Sequence, residues 1–337
     1  MRNPWRPLLL AATTVIGLAG GPLARANEAP LNFGIISTEA SQNQERLWKP
    51  FLADMSKALG REVKPFYATD YAGVIQAMRF NKVDIAWYGN KAAMEAVDRA
   101  DGQVFAQTVA ANGDPGYWSL LLVNEKSPYQ TLDALLADAG KLTFGNGDPN
   151  STSGYLVPGY YVFAQRNLDP GKLFKRTLNA NHEANALSVA NGLVDVATCN
   201  TESLERLQIT QPEKAAKLRI LWKSPLIPSD PLVWRKALPE EVKQQLREFL
   251  FTYGRDDREK QVLKNLQWSR LQESSDDQLL PIRQLALYQE RGKIAGDGSL
   301  SESEKASQLK AIDQRLKDLA ERMEAIGKAA PTAAQAG

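Results

Sequence analysis

The chain has 337 residues, 43% of them hydrophobic, enough to bury one large core or two moderate ones. Of its 41 Lys and Arg, set against 39 Asp and Glu, three arginines fall within the first 26 residues, where no acid stands. The remainder therefore carries a net charge of about −1 and lacks the basic footprint that a nucleic-acid partner requires.

At the N-terminus, Arg2 and Arg6 precede the apolar run Leu8 to Leu18, and Ala24-Arg25-Ala26 supplies small residues around a cleavage point. This pattern is a secretory signal peptide, cut after Ala26, and its apolar run is too short to span a bilayer. No later segment approaches ~20 apolar residues, so the mature protein is expected free in the periplasm, with no cysteine near the cut to take a lipid.

Beyond the leader, "LNFGIIS" (Leu31 to Ser37) reads as a strand, and "QERLWKPFLADMSKALG" carries apolar residues at helical spacing up to Gly60. "VKPFYA" is the next strand. A helix from about Ala72 to Phe80, a turn at Asn81-Lys82 and a strand from Val83 to Trp87 follow, which is α/β architecture. "MRFNKVDIAWYGN" (Met78 to Asn90) recurs weakly as "VANGLVDVATCNT" (Val189 to Thr201). Two readings stand: a chain of two halves with one plan, or buried strands that merely resemble each other. "YWSLLLVN" (Tyr117 to Asn124) is long enough to cross from one lobe to another, and "LRILWKSPLIPSDPLVWRK" (Leu218 to Lys236) can return. Two crossovers imply two lobes with a cleft, and the loops after Ala86, Phe144 and Ala197 fall at the carboxyl ends of strands, where open α/β sheets bind ligands.

The densest chemistry lies in "GNGDPNSTSGYLVPGYYVFAQ", Gly145 to Gln165, where a strand gives way to a helix starting near Ser151. Unpaired N–H groups and the positive dipole end attract an anion there, and Ser151, Thr152 and Ser153 add hydroxyl donors. No Lys or Arg stands among them, so this is not a P-loop. Ordinary N-capping is the other reading. The single cysteine, Cys199, excludes an internal disulfide and reads as a small buried hydrophobe. With a single histidine, His182, no zinc site can be assembled and no cofactor is called for.

Together "LNFGIISTE", "DYAGVIQAMRFNKVDIAWYGN", "FAQTVAANGDPGYWSLLLVN", "LTFGNGDPNSTSGYLVPGYYVF" and "WKSPLIPSDPLVWRK" closely resemble the periplasmic phosphonate-binding proteins of ABC importers, from about residue 31 to 290. The resemblance implies a two-lobed, type II periplasmic-binding fold that captures alkyl- and aminoalkylphosphonates, 2-aminoethylphosphonate foremost, and hands them to a membrane permease. It also implies that Ser151, Thr152 and Ser153 grip the phosphonate oxygens with Tyr71 and His182. Tyr117 then lies near the ligand at the crossover, and Glu202 and Asp230 meet a substrate ammonium. The residues alone allow blander roles: Glu202 a solvated loop acid, Asp230 a turn residue, His182 a helix cap. The implied division is a leader (1–26), lobe 1 (27–120 with 226–290), lobe 2 (121–225), a C-terminal helical segment (291–328) and a disordered tail (329–337).

Other classes remain as alternatives. A binder of phosphate or sulfate would have little use for Glu202 and Asp230. A hydrolase using Ser151 and His182 would lack both a Gly-x-Ser-x-Gly elbow and a metal cluster. Past the resemblance, Leu309, Ile312, Leu316, Leu319, Met323 and Ile326 form a narrow apolar stripe behind a capping box of Ser301 and Glu304. Such a stripe can lie on its own body or zip to a second copy, and a homodimer is the preferred expectation. N-terminal sequencing of the exported protein should read Asn27 first; a retained leader, or a start far from Asn27, contradicts the leader assignment.

Overall fold

The computed structural model describes residues 29–329. The leader with its cut after Ala26, and residues 330–337 of the expected tail, lie outside them. Among the described residues no helix is long and apolar enough to cross a membrane. In chain order the strands are β1 (Leu31–Ile35), β2 (Val63–Tyr67), β3 (Ile85–Trp87), β4 (Gly102–Ala110), β5 (Gly116–Tyr117), β6 (Ser119–Asn124) and β7 (Thr143–Asn146). They continue with β8 (Arg176–Asn179), β9 (Val196–Asn200), β10 (Leu218–Lys223), β11 (Ile227–Pro228), β12 (Pro231–Arg235) and β13 (Trp268–Glu273).

Two sheets result. One has the order β13-β4-β12-β3-β1-β2, the other β10-β6-β9-β7-β8. In the first, β1 runs parallel to β2 and β3, and β12 pairs antiparallel with β3. In the second, β7 runs parallel to β8 and β9, and β6 pairs antiparallel with β9. Both sheets thus repeat one unit, three parallel strands flanked by an antiparallel strand that arrives from a crossover. The recurring Val-Asp is part of that unit. Asp84 accepts a hydrogen bond from the Asn32 N–H at the start of β1 (2.8 Å), and Asp195 accepts one from the Thr143 N–H at the start of β7 (2.7 Å). Of the two readings of the repeat, the shared plan is the one observed.

The first sheet is packed by aromatic residues. Phe33, Trp48, Phe51, Phe105, Trp234 and Trp268 are buried together, with Phe105 and Trp234 stacked at 3.8 Å. The Ser41–Leu59 helix covers this face and stops at Gly60, whose φ of 64° needs no Cβ. In the second sheet Cys199 is fully buried among Leu120, Leu122 and Ala186.

The expected single strand from Tyr117 to Asn124 is broken. Tyr117 pairs with Ile227 in a separate two-stranded ladder, and the long strand begins only at Ser119. This one short ladder, with one strand from each crossover, joins the sheets. The C-terminal helix, Glu302–Ala329, opens with the expected capping box: Ser301 N–H donates to Glu304 (2.9 Å) and Glu304 N–H to Ser301 Oγ (3.3 Å). Its stripe lies on the chain's own Leu280–Ala295 helix. Ile312 is buried, Arg291 pairs with Asp313 at 2.7 Å, and Arg322 pairs with Asp277. The apolar face that suggested a homodimer is largely occupied within one chain, and only Ile326 of the stripe is exposed.

Gly116 sits where the crossovers touch. A Cβ there would lie 1.9 Å from the Ile227 carbonyl oxygen, so backbone must move to admit it. Gly116→Ala should therefore cost about 1–3 kcal/mol, the scale of overpacking. Thermal unfolding should show a melting point several degrees lower, at roughly 2–4 °C per kcal/mol.

Candidate ligand-binding cleft

The Asp148 to Ser153 segment joins β7 to a helix of unusual register. Ser151 is its N-cap, and Thr152–Leu156 and Gly159–Phe163 are π-helical, where an ordinary α-helix was expected. The cause is legible in the hydrogen bonds. Pro158 has no N–H to offer the Gly154 carbonyl four residues back, and that oxygen instead accepts from Gly147 N–H at 3.0 Å. Val157 N–H bonds to Thr152, five back, which leaves the Ser153 carbonyl to accept from Ser119 Oγ at 2.5 Å. The turn closes tightly: a Cβ on Gly147 would meet the Gly154 backbone at 2.4–2.5 Å.

This packing orients three buried hydroxyls. Ser151 Oγ accepts from Gly154 N–H (2.9 Å), Thr152 Oγ1 from Lys91 N–H (2.8 Å), and Ser153 Oγ from Asn200 Nδ2 (3.4 Å). Each oxygen thus takes a hydrogen bond from the protein and keeps its own O–H to donate. Capping and ligand binding are not alternatives for Ser151, since the cap uses the lone pair and leaves the hydrogen. His182 Nε2 lies 3.4 Å from Ser151 Oγ and 3.2 Å from Ser153 Oγ, while its buried Nδ1 has no partner. Asn181, not His182, caps the following helix through a 2.9 Å bond from Ala184 N–H. Burial pushes His182 down to about 4, so the ring is neutral at neutral pH. Burial pushes the Tyr71 hydroxyl well above its ordinary range, with the charges of Asp148 and Asp230 adding to the effect, so it too remains a donor.

The cleft is also lined by acids. Tyr117 OH donates to Asp230 Oδ1 at 2.9 Å, and Asn90 Nδ2 lies 3.5 Å from the same oxygen. Burial, reinforced by the charge of Glu202, holds Asp230 well above the usual carboxylate range despite the Tyr117 bond. Burial pushes Glu202 up to about 7, with Arg206 pulling it down and Glu205 raising it. Asp230 is buried and Glu202 half-buried, and the two carboxyls resist ionising together.

All eight residues singled out in the sequence, Tyr71, Tyr117, Ser151, Thr152, Ser153, His182, Glu202 and Asp230, line this one cleft. Residues not foreseen also build it. Asn90 and Asn200 brace Asp230 and Ser153, and both lie in the polar loop that closes a copy of the internal repeat, which was the available clue. Asp148 accepts from Tyr71 N–H (3.2 Å), and Lys91 reaches Thr152 and the Pro149 carbonyl from the other sheet. Glu39 and Arg206 pair at the rim, and Trp87 walls the cleft.

Comparison with known proteins gives the family and the fold. The family described as "ABC transporter, phosphonate, periplasmic substrate-binding protein" matches residues 33–279. The phosphonates-binding periplasmic protein of Escherichia coli (strain K12) is 58% identical over 296 residues, 88% of this chain and 87% of that protein. A crystal structure of a binding protein component of an ABC phosphonate transporter from Pseudomonas aeruginosa is 63% identical, with a TM-score of 0.87 over 88% of this chain and 99% of its own. PhnD1 of Prochlorococcus marinus (MIT 9301), solved in complex with methylphosphonate, shares the fold at a TM-score of 0.68 and 23% identity, over 76% of this chain and 97% of its own.

His182 gives a pH test. The folded protein keeps it neutral, whereas the unfolded chain protonates it near its ordinary value of 6.5. The unfolded state then binds more protons, so acidification from about pH 6.5 to about 4 removes stability. Denaturant unfolding across that window should show the ligand-free wild type losing about 2–3 kcal/mol more than His182→Asn. Parallel curves for the two proteins would show that the ring is not held neutral.

Proposed function

The chain belongs to the periplasmic phosphonate-binding family of ABC transporters, and from that premise we propose that its ligand is an aminoalkylphosphonate of the size of 2-aminoethylphosphonate. The protein is a substrate-binding component and not an enzyme. The observation that carries the finer reading is that one cleft holds both a cluster of neutral donors and two acids, Asp230 and Glu202. Ser151, Thr152, Ser153, Tyr71 and His182 would hold the three phosphonate oxygens with charge-assisted hydrogen bonds and no cationic side chain. Asp230 and Glu202 would take the ammonium, whose charge offsets their burial, and Tyr117 orients Asp230 between the two ends.

On this reading the first 26 residues are the export leader. Residues 27–120 with 226–290, and 121–225, move as two lobes about the β5 and β11 crossovers. The closed form, with ligand, would be what the permease of the transporter meets.

The two ends of the site should respond differently to substitution. Ser151→Ala removes an oxyanion donor and should weaken every phosphonate by roughly 1.5–3 kcal/mol. Asp230→Asn keeps size and hydrogen bonding but deletes charge. In calorimetry on ligand-stripped protein it should weaken 2-aminoethylphosphonate about tenfold to a hundredfold, while methylphosphonate holds or improves. Equal losses for the two ligands would make Asp230 structural and remove the amine end from the assignment.

A further inference from the structure

We propose that Arg206 is a selectivity relay: it exchanges between Glu202 on its own helix and Glu39 across the cleft, and so couples the ligand's ammonium to closure of the rim. The proposal rests on the reading of Glu202 as part of the amine end.

Glu202 and Arg206 both stand on the Thr201–Thr210 helix, which follows β9, and their spacing of four with the acid first is the favourable one for an ion pair. In the structure Arg206 points the other way. Its Nε lies 3.3 Å from Glu39 Oε1, with the two side chains only 19% and 13% exposed, and its Nη1 donates to the Asn265 carbonyl at 3.1 Å. Glu39 precedes the Ser41–Leu59 helix, and Asn265 precedes β13, so both partners belong to the six-stranded sheet, opposite Arg206.

Arg206 is the only Lys or Arg among the described residues that line the cleft, against four carboxylates. Two of these have neutral donors. Glu183 accepts from Ala40 N–H (2.8 Å) and Asn43 Nδ2 (2.9 Å), and Asp230 accepts from Tyr117. Glu39 and Glu202 are left to compete for the one cleft-lining guanidinium: burial raises the proton affinity of both, and Arg206 opposes that at each, with Arg46 also acting on Glu39.

An ammonium beside Glu202 supplies that carboxylate with a cation and repels Arg206, which is then free to hold Glu39. Methylphosphonate brings no cation, so Glu202 keeps its claim on Arg206 and the rim pair is weaker. A ligand can shift closure only through a difference in how it interacts with the two states, and this competition supplies one. Aminophosphonates would then close the rim more fully than alkylphosphonates, beyond what the direct ammonium contact contributes.

The test is calorimetry with 2-aminoethylphosphonate and methylphosphonate on ligand-stripped wild type, Glu39→Gln, Glu202→Gln and the double variant, with melting points to check folding. Arg206→Gln serves as an independent break of the rim pair. Glu39→Gln should weaken 2-aminoethylphosphonate about threefold to tenfold, the scale of one half-buried pair, and methylphosphonate by less than about twofold. Glu202→Gln frees Arg206 whatever the ligand, so methylphosphonate should gain affinity, and that gain should vanish in the double variant. Equal losses for both ligands in Glu39→Gln, no loss for either, or a methylphosphonate gain that survives in the double variant overturns the relay. If Glu202→Gln removes the preference for the aminophosphonate while Glu39→Gln changes nothing, the relay alone fails. If Glu202→Gln leaves that preference intact, the amine-end reading fails and the relay falls with it.

Discussion

Three buried hydroxyls whose lone pairs are already engaged form the constraint on which the rest of the site depends. A serine or threonine with a free lone pair is ambivalent toward an anion, because it can turn and present its oxygen. Gly154 N–H, Lys91 N–H and Asn200 Nδ2 each occupy one lone pair at Ser151, Thr152 and Ser153, which narrows that freedom and leaves each O–H to donate. The arrangement depends on the π register after Ser151, because that register frees the Ser153 and Gly154 carbonyls to be held by Ser119 and Gly147. Pro158, which touches none of the hydroxyls, is therefore as much a part of the anion end as they are.

A donor-only pocket would admit any small oxyanion, and discrimination has to come from the opposite end. Burying Asp230 and Glu202 in one cleft is unfavourable while both are charged, and the upward displacement of both carboxyls expresses that cost. A bare oxyanion leaves the cost in place and adds repulsion. A zwitterion removes it. On the proposed reading the same pair of acids would attract one ligand class and reject another, and selectivity through unmet polar groups is stronger than selectivity through fit.

Much of this was legible in the sequence wherever a local rule decides structure. The β1 to β3 elements follow from alternation and helical spacing, the helix stop follows from Gly60, and the capping box of Ser301 and Glu304 forms as written. Ser151, Thr152 and Ser153 were read from hydroxyls at a helix start, with ordinary capping as the other reading, and the remaining five site residues came from the family resemblance; composition and spacing alone left Glu202, Asp230 and His182 with blander roles. What was not legible depends on register or on distance. The π-helix needs Gly147 against Gly154, which no helical periodicity reports. The break at Trp118 arises because Tyr117 pairs with Ile227, more than a hundred residues away. The apolar stripe near the C-terminus was read for its spacing, but spacing does not say which surface a stripe meets, and here the Leu280–Ala295 helix meets it. Glu39 looked like any acid before a helix, since its partner Arg206 is adjacent only in the folded chain.

On the proposed reading the two repeated halves would also link ligand and closure. Each half fixes its parallel strands with an aspartate at the strand start, so the loops after β3 and β9 are carried rigidly to the same cleft from opposite sheets. Ser151 and Ser153 take their orienting N–H groups from their own side, Gly154 and Asn200, and keep their direction whatever the other sheet does. Thr152 does not. Its donor is Lys91 N–H, at the start of the helix that follows β3, and Tyr71 N–H likewise reaches Asp148 from that sheet. The anion end is therefore complete only when the two sheets are together, and an oxyanion that prefers three aligned hydroxyls to two favours the closed arrangement by that difference. On the proposed reading the short β5 and β11 ladder would be the hinge, because two residue pairs resist bending far less than the long ladders on either side.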